Sequence, residues 1–299
     1  MNPSLRFAAI DIGSNAVRLL LSAVTDTDDT PVFRKMSLMR MPLRLGEEAF
    51  TEKRISESKA RQLTLTMKGF GRLIEAYQPL DVMACATSAM REAENGEELC
   101  HKIRLETGIA IRIIDGQTEA GILFENHKWR HFKGDGPCLH VDVGGGSAEL
   151  TVFSNTGILG SRSFTIGTVR LLKDRVSKDE WSRMREWLQG YASQGRFQAA
   201  TGSGGNLNKL FRLSECKKGK PLSRRAISAM LRELKARTVE QRIAEFGLRH
   251  DRADVIIPAA EIYLQVMNWA GVKEIYVPML GLADGMIALL YARYKANQR

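Results

Sequence analysis

Ala8-Ala9-Ile10-Asp11-Ile12-Gly13-Ser14-Asn15, near the start of this 299-residue chain, is answered at its middle by Leu139-His140-Val141-Asp142-Val143-Gly144-Gly145-Gly146-Ser147. Each copy leads an apolar run into an Asp, a β-branched residue and a turn of Gly, Ser or Asn. Each then resumes an apolar run, at Val17-Arg18-Leu19 and at Ala148-Glu149-Leu150. That pattern reads as strand, tight turn and second strand, with Gly where the backbone must bend sharply. A turn of this kind gathers several N–H groups into a nest for anionic oxygens. The Asp closing each first strand suits a cation instead. Nest and acid together point to a chain of phosphoryl groups carried with a metal, and the duplication points to two matching domains.

Working outward from the first copy, residues 7–12, 17–24 and 32–39 read as successive strands. Between Ser56 and Tyr77, the apolar residues Ala60, Leu63, Met67, Phe70 and Ile74 recur at helical spacing behind a Ser suited to the N-cap. A strand over 81–86, a turn-and-helix segment, a strand over 109–114 and a helix from Gln117 to His131 complete the first half. The second copy opens strands over 138–143, 148–153 and 158–165. Helices over roughly 178–193, 223–246 and 252–270 follow, then a strand over 274–277 and a closing helix from Leu282 to about Lys295. Alternating strands and helices imply an α/β fold. The hinge falls at Asp115-Gly116-Gln117, which divides the chain into 1–116 with 283–299 and a second domain over 117–282.

A net charge of +10 favours polyanionic partners. Its densest clusters are Arg34-Lys35, Lys217-Lys218-Gly219-Lys220 and Arg224-Arg225. No helix-turn-helix or RNA-binding sheet motif accompanies them, so no specific nucleic acid is expected. No apolar run approaches the roughly 20 residues of a membrane helix, and no cleavable leader is evident, which sets the expectation of a cytoplasmic protein. Cys85, Cys100, Cys138 and Cys216 form no CxxC, so reduced thiols are expected rather than zinc or disulfides. His127 and His131 share a helical face without a further spaced ligand and read as a solvated face.

These motifs resemble those of the exopolyphosphatase/guanosine pentaphosphate phosphatase (Ppx/GppA) family. The matching segments are Asp11 to Leu19, the run Ala86-Thr87-Ser88-Ala89-Met90-Arg91-Glu92-Ala93-Glu94-Asn95, Ile114 to Ala120, Asp142 to Leu150, and Thr201-Gly202-Ser203-Gly204-Gly205-Asn206. The resemblance implies duplicated actin-like (ribonuclease H-like) domains, mixed sheets flanked by helices, with a cleft between them. It implies hydrolysis of the terminal phosphate of polyphosphate, pppGpp or both, and a homodimer. This chain departs from the family in having Thr118, Glu119 and Gly121 where two adjacent acids and a later Arg are common, and Ala283 where longer members often carry Arg. It also stops where longer members continue into a helical domain, which implies a weaker grip on long polymers.

Cleaving a phosphoanhydride requires an oriented water, a base and positive charge on the transferred group. Glu119 is the candidate base. As a residue it also suits the start of a helix, where an acid meets the dipole, and the resemblance favours catalysis. Asp142 and Glu149 flank the second turn on paired strands and are the candidate Mg²⁺ ligands; Asp11 is the equivalent acid of the first turn. Gly13, Ser14 and Asn15, with Gly144, Gly145, Gly146 and Ser147, are expected to cradle phosphate oxygens. Arg91 is the favoured guanidinium clamp and Arg44 a weaker one. The 201–206 turn suits either a nucleoside contact or a strand-to-helix connector. Two other classes share these hairpins: an ATP-dependent phosphotransferase of the sugar-kinase type and a non-catalytic polyphosphate or alarmone sensor.

Overall fold

The computed structural model describes residues 4–26, 31–125, 136–193 and 195–298. The chain forms two compact units, Met1–Asn126 with Gly281–Arg299, and His127–Leu280. Among the described residues no helix is long and apolar enough to cross a membrane.

In the first unit, β1 (Leu5–Ile12) pairs antiparallel with β2 (Val17–Thr25), and β2 with β3 (Val32–Met41). β1 also pairs in parallel with β4 (Asp81–Ala86), which pairs with β5 (Ile111–Ile113), so the sheet order is β3-β2-β1-β4-β5. The central β1 is buried along nearly its whole length, as its unbroken apolar run requires of a strand covered on both faces. Helices α1 (Leu45–Thr51) and α2 (Glu57–Tyr77) follow β3; Ser56 caps α2 by accepting from the Lys59 N–H. α3 (Ser88–Glu92) and α4 (Gly96–Thr107) connect β4 to β5, and α5 (Gly116–Phe124) starts at Asp115, whose side chain accepts from the Thr118 N–H at 2.7 Å. Of the helix expected over 117–131, the part from residue 126 on, with His127 and His131, lies outside the described residues.

The second unit repeats the plan. β6 (Cys138–Val143), β7 (Ala148–Ser154) and β8 (Gly157–Phe164) form an antiparallel meander, and β9 (Ala199–Ser203) pairs in parallel with β6, giving the order β8-β7-β6-β9. Helices α6 (Thr168–Leu172) and α7 (Lys178–Ala192) lie between β8 and β9, and α8 (Gly205–Leu213) follows β9. A two-residue strand β10 (Leu222–Ser223) leads into α9 (Arg224–Lys235). The single helix expected over 223–246 is two, because Thr238 starts α10 (Val239–Phe246) with a capping box to Gln241. The segment over 252–270 likewise divides into α11 (His250–Ala253) and α12 (Ile256–Trp269). α12 is apolar nearly all round and forms the centre of this unit's core, with Ile256, Ala260, Tyr263 and Val266 buried. β11 (Glu274–Ile275) pairs antiparallel with β10, and Tyr276 bridges in parallel to Thr201 on β9.

The closing helix α13 (Leu282–Asn297) belongs to the first unit. Its Leu282, Met286, Ile287, Leu290 and Tyr291 share one core with Phe7, Ala9 and Leu20 of the sheet and with Ile122 and Leu123 of α5. Packing on α13 therefore assigns α5 to the first unit. The chain leaves that unit after Asn126, later than the boundary at residue 116 expected from sequence. All four cysteines are free thiols, and burial pushes Cys85 up to about 11 and Cys100 to about 12, so neither is a ready nucleophile or metal ligand.

Candidate active site

Both elbows close in the same way. In the first unit the Gly13 N–H donates to the Ala16 carbonyl at 3.1 Å; in the second the Gly144 N–H donates to the Ser147 carbonyl at 2.9 Å. What happens to the remaining carbonyls decides what each turn offers. Those of Ser14 and Asn15 accept from the N–H groups of Gly46 and Arg44, at 2.8 and 3.1 Å. Those of Gly144, Gly145 and Gly146 are taken by the start of α6, through Thr168 N–H at 3.0 Å, Val169 N–H at 2.8 Å and Arg170 Nε at 2.6 Å. In a trans peptide the C=O and the next N–H point in opposite directions. Capturing the carbonyls therefore turns the N–H groups of Asn15 and Ala16, and those of Gly145, Gly146 and Ser147, the other way, as an anion nest requires. The Ser14 hydroxyl is buried and hydrogen-bonds the Ser88 hydroxyl at 2.8 Å, anchoring the first elbow to the start of α3.

The two elbows differ in the pair of side chains that faces across each hairpin. In the first, Asp11 is in register with Arg18 and the two form an ion pair at 2.5 Å. In the second, Asp142 is in register with Glu149, so two carboxylates oppose each other. Like charges directly opposite on paired strands are destabilising. Glu149 is buried and accepts from the Ser163 hydroxyl at 2.9 Å; Asp142 is half-buried. Two oxygen donors of this kind fit a hard divalent cation such as Mg²⁺, which commonly takes one or two carboxylates and fills its remaining positions with water and phosphate. By contrast, Asp11 already has Arg18.

A buried polar cluster is built where β6 pairs with β9, with His140 in register with Thr201 and Asp142 with Ser203. His140, fully buried on β6, bonds Thr201 Oγ1 at 2.9 Å through Nδ1 and Ser203 Oγ at 3.2 Å through Nε2, and burial pushes it down to about 3. The Tyr263 hydroxyl donates to the Ser203 carbonyl, and burial, with the negative charge of Asp142 and Glu149, holds its phenol well above the usual range. The 201–206 stretch is the end of β9 and the start of α8, joined by Gly204 at φ +115°. A side chain there would meet the Val143 carbonyl at 3.0 Å and the Tyr263 hydroxyl at 3.2 Å.

Glu119 lies in the first turn of α5 and is buried. Arg91, at the end of α3, donates from Nη1 to the Ile114 carbonyl at 2.5 Å and so ties α3 to the segment entering α5. Asp115 is held below the usual carboxylate range, chiefly by its hydrogen bonds from Thr118 and in part by the Arg91 charge. Arg44 adopts a left-handed backbone at φ 52° and ion-pairs Glu47 at 2.7 Å. Arg170 is a residue that motif reading passed over: it is buried and supports the second elbow. The signal was Gly167-Thr168-Val169-Arg170, a charged residue inside an apolar stretch behind a glycine whose Cβ would strike the Gly145 backbone.

The model of the Ppx/GppA phosphatase family matches residues 23–292. Exopolyphosphatase 1 of Mycobacterium tuberculosis is 27% identical over 305 residues, which cover 95% of this chain and 87% of that protein. The crystal structure of the Aquifex aeolicus Ppx/GppA family member superposes with a TM-score of 0.77 at 24% identity, covering 98% of this chain and 99% of that one. An exopolyphosphatase structure from Cytophaga hutchinsonii gives a TM-score of 0.82 at 24% identity, covering 95% and 97%. The two helix-flanked mixed sheets are thus the actin-like α/β fold that the resemblance implied. With nine-tenths of its length inside the family match, this chain belongs to the Ppx/GppA phosphatase family.

Proposed function

We propose that the protein hydrolyses the terminal phosphoanhydride of inorganic polyphosphate, pppGpp, or both. The observation that carries this reading is the contrast between the hairpins: one is closed by Asp11 and Arg18, the other by Asp142 and Glu149. An opposed acid pair beside a turn that presents N–H groups would suit a divalent cation held next to phosphate, or an oriented water. The similarity to the mycobacterial exopolyphosphatase supports polyphosphate as substrate.

Asp142 and Glu149 would hold Mg²⁺, with Asp11 a third ligand only once it releases Arg18. The ion would neutralise charge on the phosphoryl oxygens. The N–H groups of residues 145–147 and of Asn15 and Ala16 would hold phosphoryl oxygens in line, as donors already oriented before the reaction. Ser14, anchored to Ser88, keeps its elbow in shape, and Arg91 offers a guanidinium to the chain of phosphates. Glu119, at the positive end of α5, would accept a proton from the water whose oxygen bonds to the terminal phosphorus; the bridging P–O bond breaks, the terminal group is released as orthophosphate, and the shortened chain leaves with the bridging oxygen and its negative charge.

The test is phosphate release from short polyphosphate, long polyphosphate and pppGpp in parallel, with and without Mg²⁺. We expect Mg²⁺-dependent release from at least one of them. Glu119→Gln should lower kcat by about 10²–10⁴-fold, the usual worth of a general base, while leaving substrate binding and Tm unchanged. Full-rate hydrolysis by that variant removes Glu119 from the mechanism, and full-rate hydrolysis without divalent ions removes the metal.

A further inference from the structure

A second cluster of charge lies in the second unit, away from its elbow. A cavity of about 630 Å³ is lined by Arg224, Arg225 and Arg232 of α9 and by Lys273 at the entry to β11, with Glu274 the one carboxylate among its walls. The backbone at one edge is pinned: Ser223 is in register with Glu274, and the Arg224 N–H donates to the Lys273 carbonyl at 2.8 Å.

The charges are arranged against local preference. Arg225, Ser228 and Arg232 follow i, i+3, i+7 spacing on one face of α9, and the first turn of that helix holds two arginines and no acid. Cations at a helix N-terminus oppose the dipole. Further along, Lys235 has Glu261 at 2.6 Å and Arg237 has Glu245 at 2.6 Å. Among the described residues, none of the four cavity cations makes an ion pair. Solvated surface cations need no partner, but four that line one concavity make a predominantly positive site, which an entering anion would complement.

We propose that this cavity is a binding site for a multiply charged phosphoryl anion, either inorganic polyphosphate or the phosphate chain of a nucleotide. Three guanidinium forks suit phosphate oxygens better than single-point ammonium charges do. The volume lies in the range of small-molecule sites and exceeds what a single phosphate fills. The site is separate from the elbow. Tyr276 pairs with Thr201, so Lys273 lies three residues back along the sheet, whereas Ser203, in register with Asp142, lies two residues forward. At roughly 3.3 Å per strand residue the separation is about 17 Å. The proposal therefore stands whether or not the elbow is catalytic.

The test is calorimetric titration of the metal-stripped protein, in divalent-free buffer, with tripolyphosphate and separately with guanosine triphosphate. Without a cation, the opposed carboxylates at the elbow disfavour anions there, so binding reports on the cavity. We expect saturable binding of one anion per chain. Arg225→Ala/Arg232→Ala, at exposed positions, should weaken it at least tenfold, as should Lys273→Ala alone. Lys217→Ala/Lys218→Ala, an equal loss of charge in a neighbouring loop, should leave it within twofold. The tighter of the two anions identifies the source. Absence of saturable binding, or equal loss in the cavity and control variants, overturns the proposal.

Discussion

At the scale of single residues, the decisive comparison is Arg18 against Glu149, which occupy equivalent places across the two elbows. If the opposed carboxylates await a cation, Glu149→Gln should raise the Tm of the metal-free protein by about 1–3 °C, since relief of one like-charge pair is worth about 0.2–1 kcal/mol. The same variant should lose the Tm increment that Mg²⁺ gives the wild type. Arg18→Gln should act in the opposite sense, costing about 1–3 kcal/mol, because buried Asp11 loses its charged donor. Thermal melts with and without Mg²⁺ measure both. A metal-free Glu149→Gln protein less stable than wild type would show that the acid pair is not strained.

At the scale of elements, two packings can be probed separately. Gly285 on α13 has the Ile122 carbonyl of α5 where a Cβ would be, whereas Gly121 on α5 has open space there. Ala is a better helix former than Gly by about 1 kcal/mol. Gly121→Ala should therefore stabilise by about 0.5–1 kcal/mol. At Gly285 overpacking against backbone, about 1–3 kcal/mol, should outweigh that gain and lower the Tm; urea melts of the two variants give the signs. The β6–β9 pairing holds His140 between Thr201 and Ser203. Its folded value, about 3, lies below the ordinary 6.5, so its neutral form stabilises the fold fully above pH 6.5. That contribution is lost as pH falls from about 6.5 toward about 3, with a slope of up to ~1.4 kcal/mol per pH unit. His140→Gln should flatten this slope in urea melts between pH 6.5 and 4.5; an unchanged slope would show that His140 does not carry it.

At the scale of the whole molecule, each unit has a core of its own, and the last helix closes one face of the first unit. Ending the chain after Leu280 would strip Leu282, Met286, Ile287, Leu290 and Tyr291 from the first core. At about 1.5–3 kcal/mol per buried side chain, that loss is on the order of 10 kcal/mol, comparable with the whole stability of a domain. Limited proteolysis of the truncated chain should degrade the first unit first. The Trp181–Trp269 edge contact, within the second unit, should keep its near-ultraviolet signal. A first unit that resists protease without α13 would contradict this account.

Much of this was legible in the chain itself. Apolar runs on either side of a four-residue turn dictate strand pairing, and the turn length sets Asp11 against Arg18 and Asp142 against Glu149. Those are local rules, so the hairpins and the candidate acids could be read without coordinates. Other features depended on tertiary structure. The carbonyls of Gly144, Gly145 and Gly146 are captured by a segment about 24 residues further on, which no local pattern announces. Arg170 becomes a support of the elbow only through that packing. α5 joins the first unit because α13 returns from the far end of the chain to cover it, and an apolar helix face does not state in sequence which distant face it will meet.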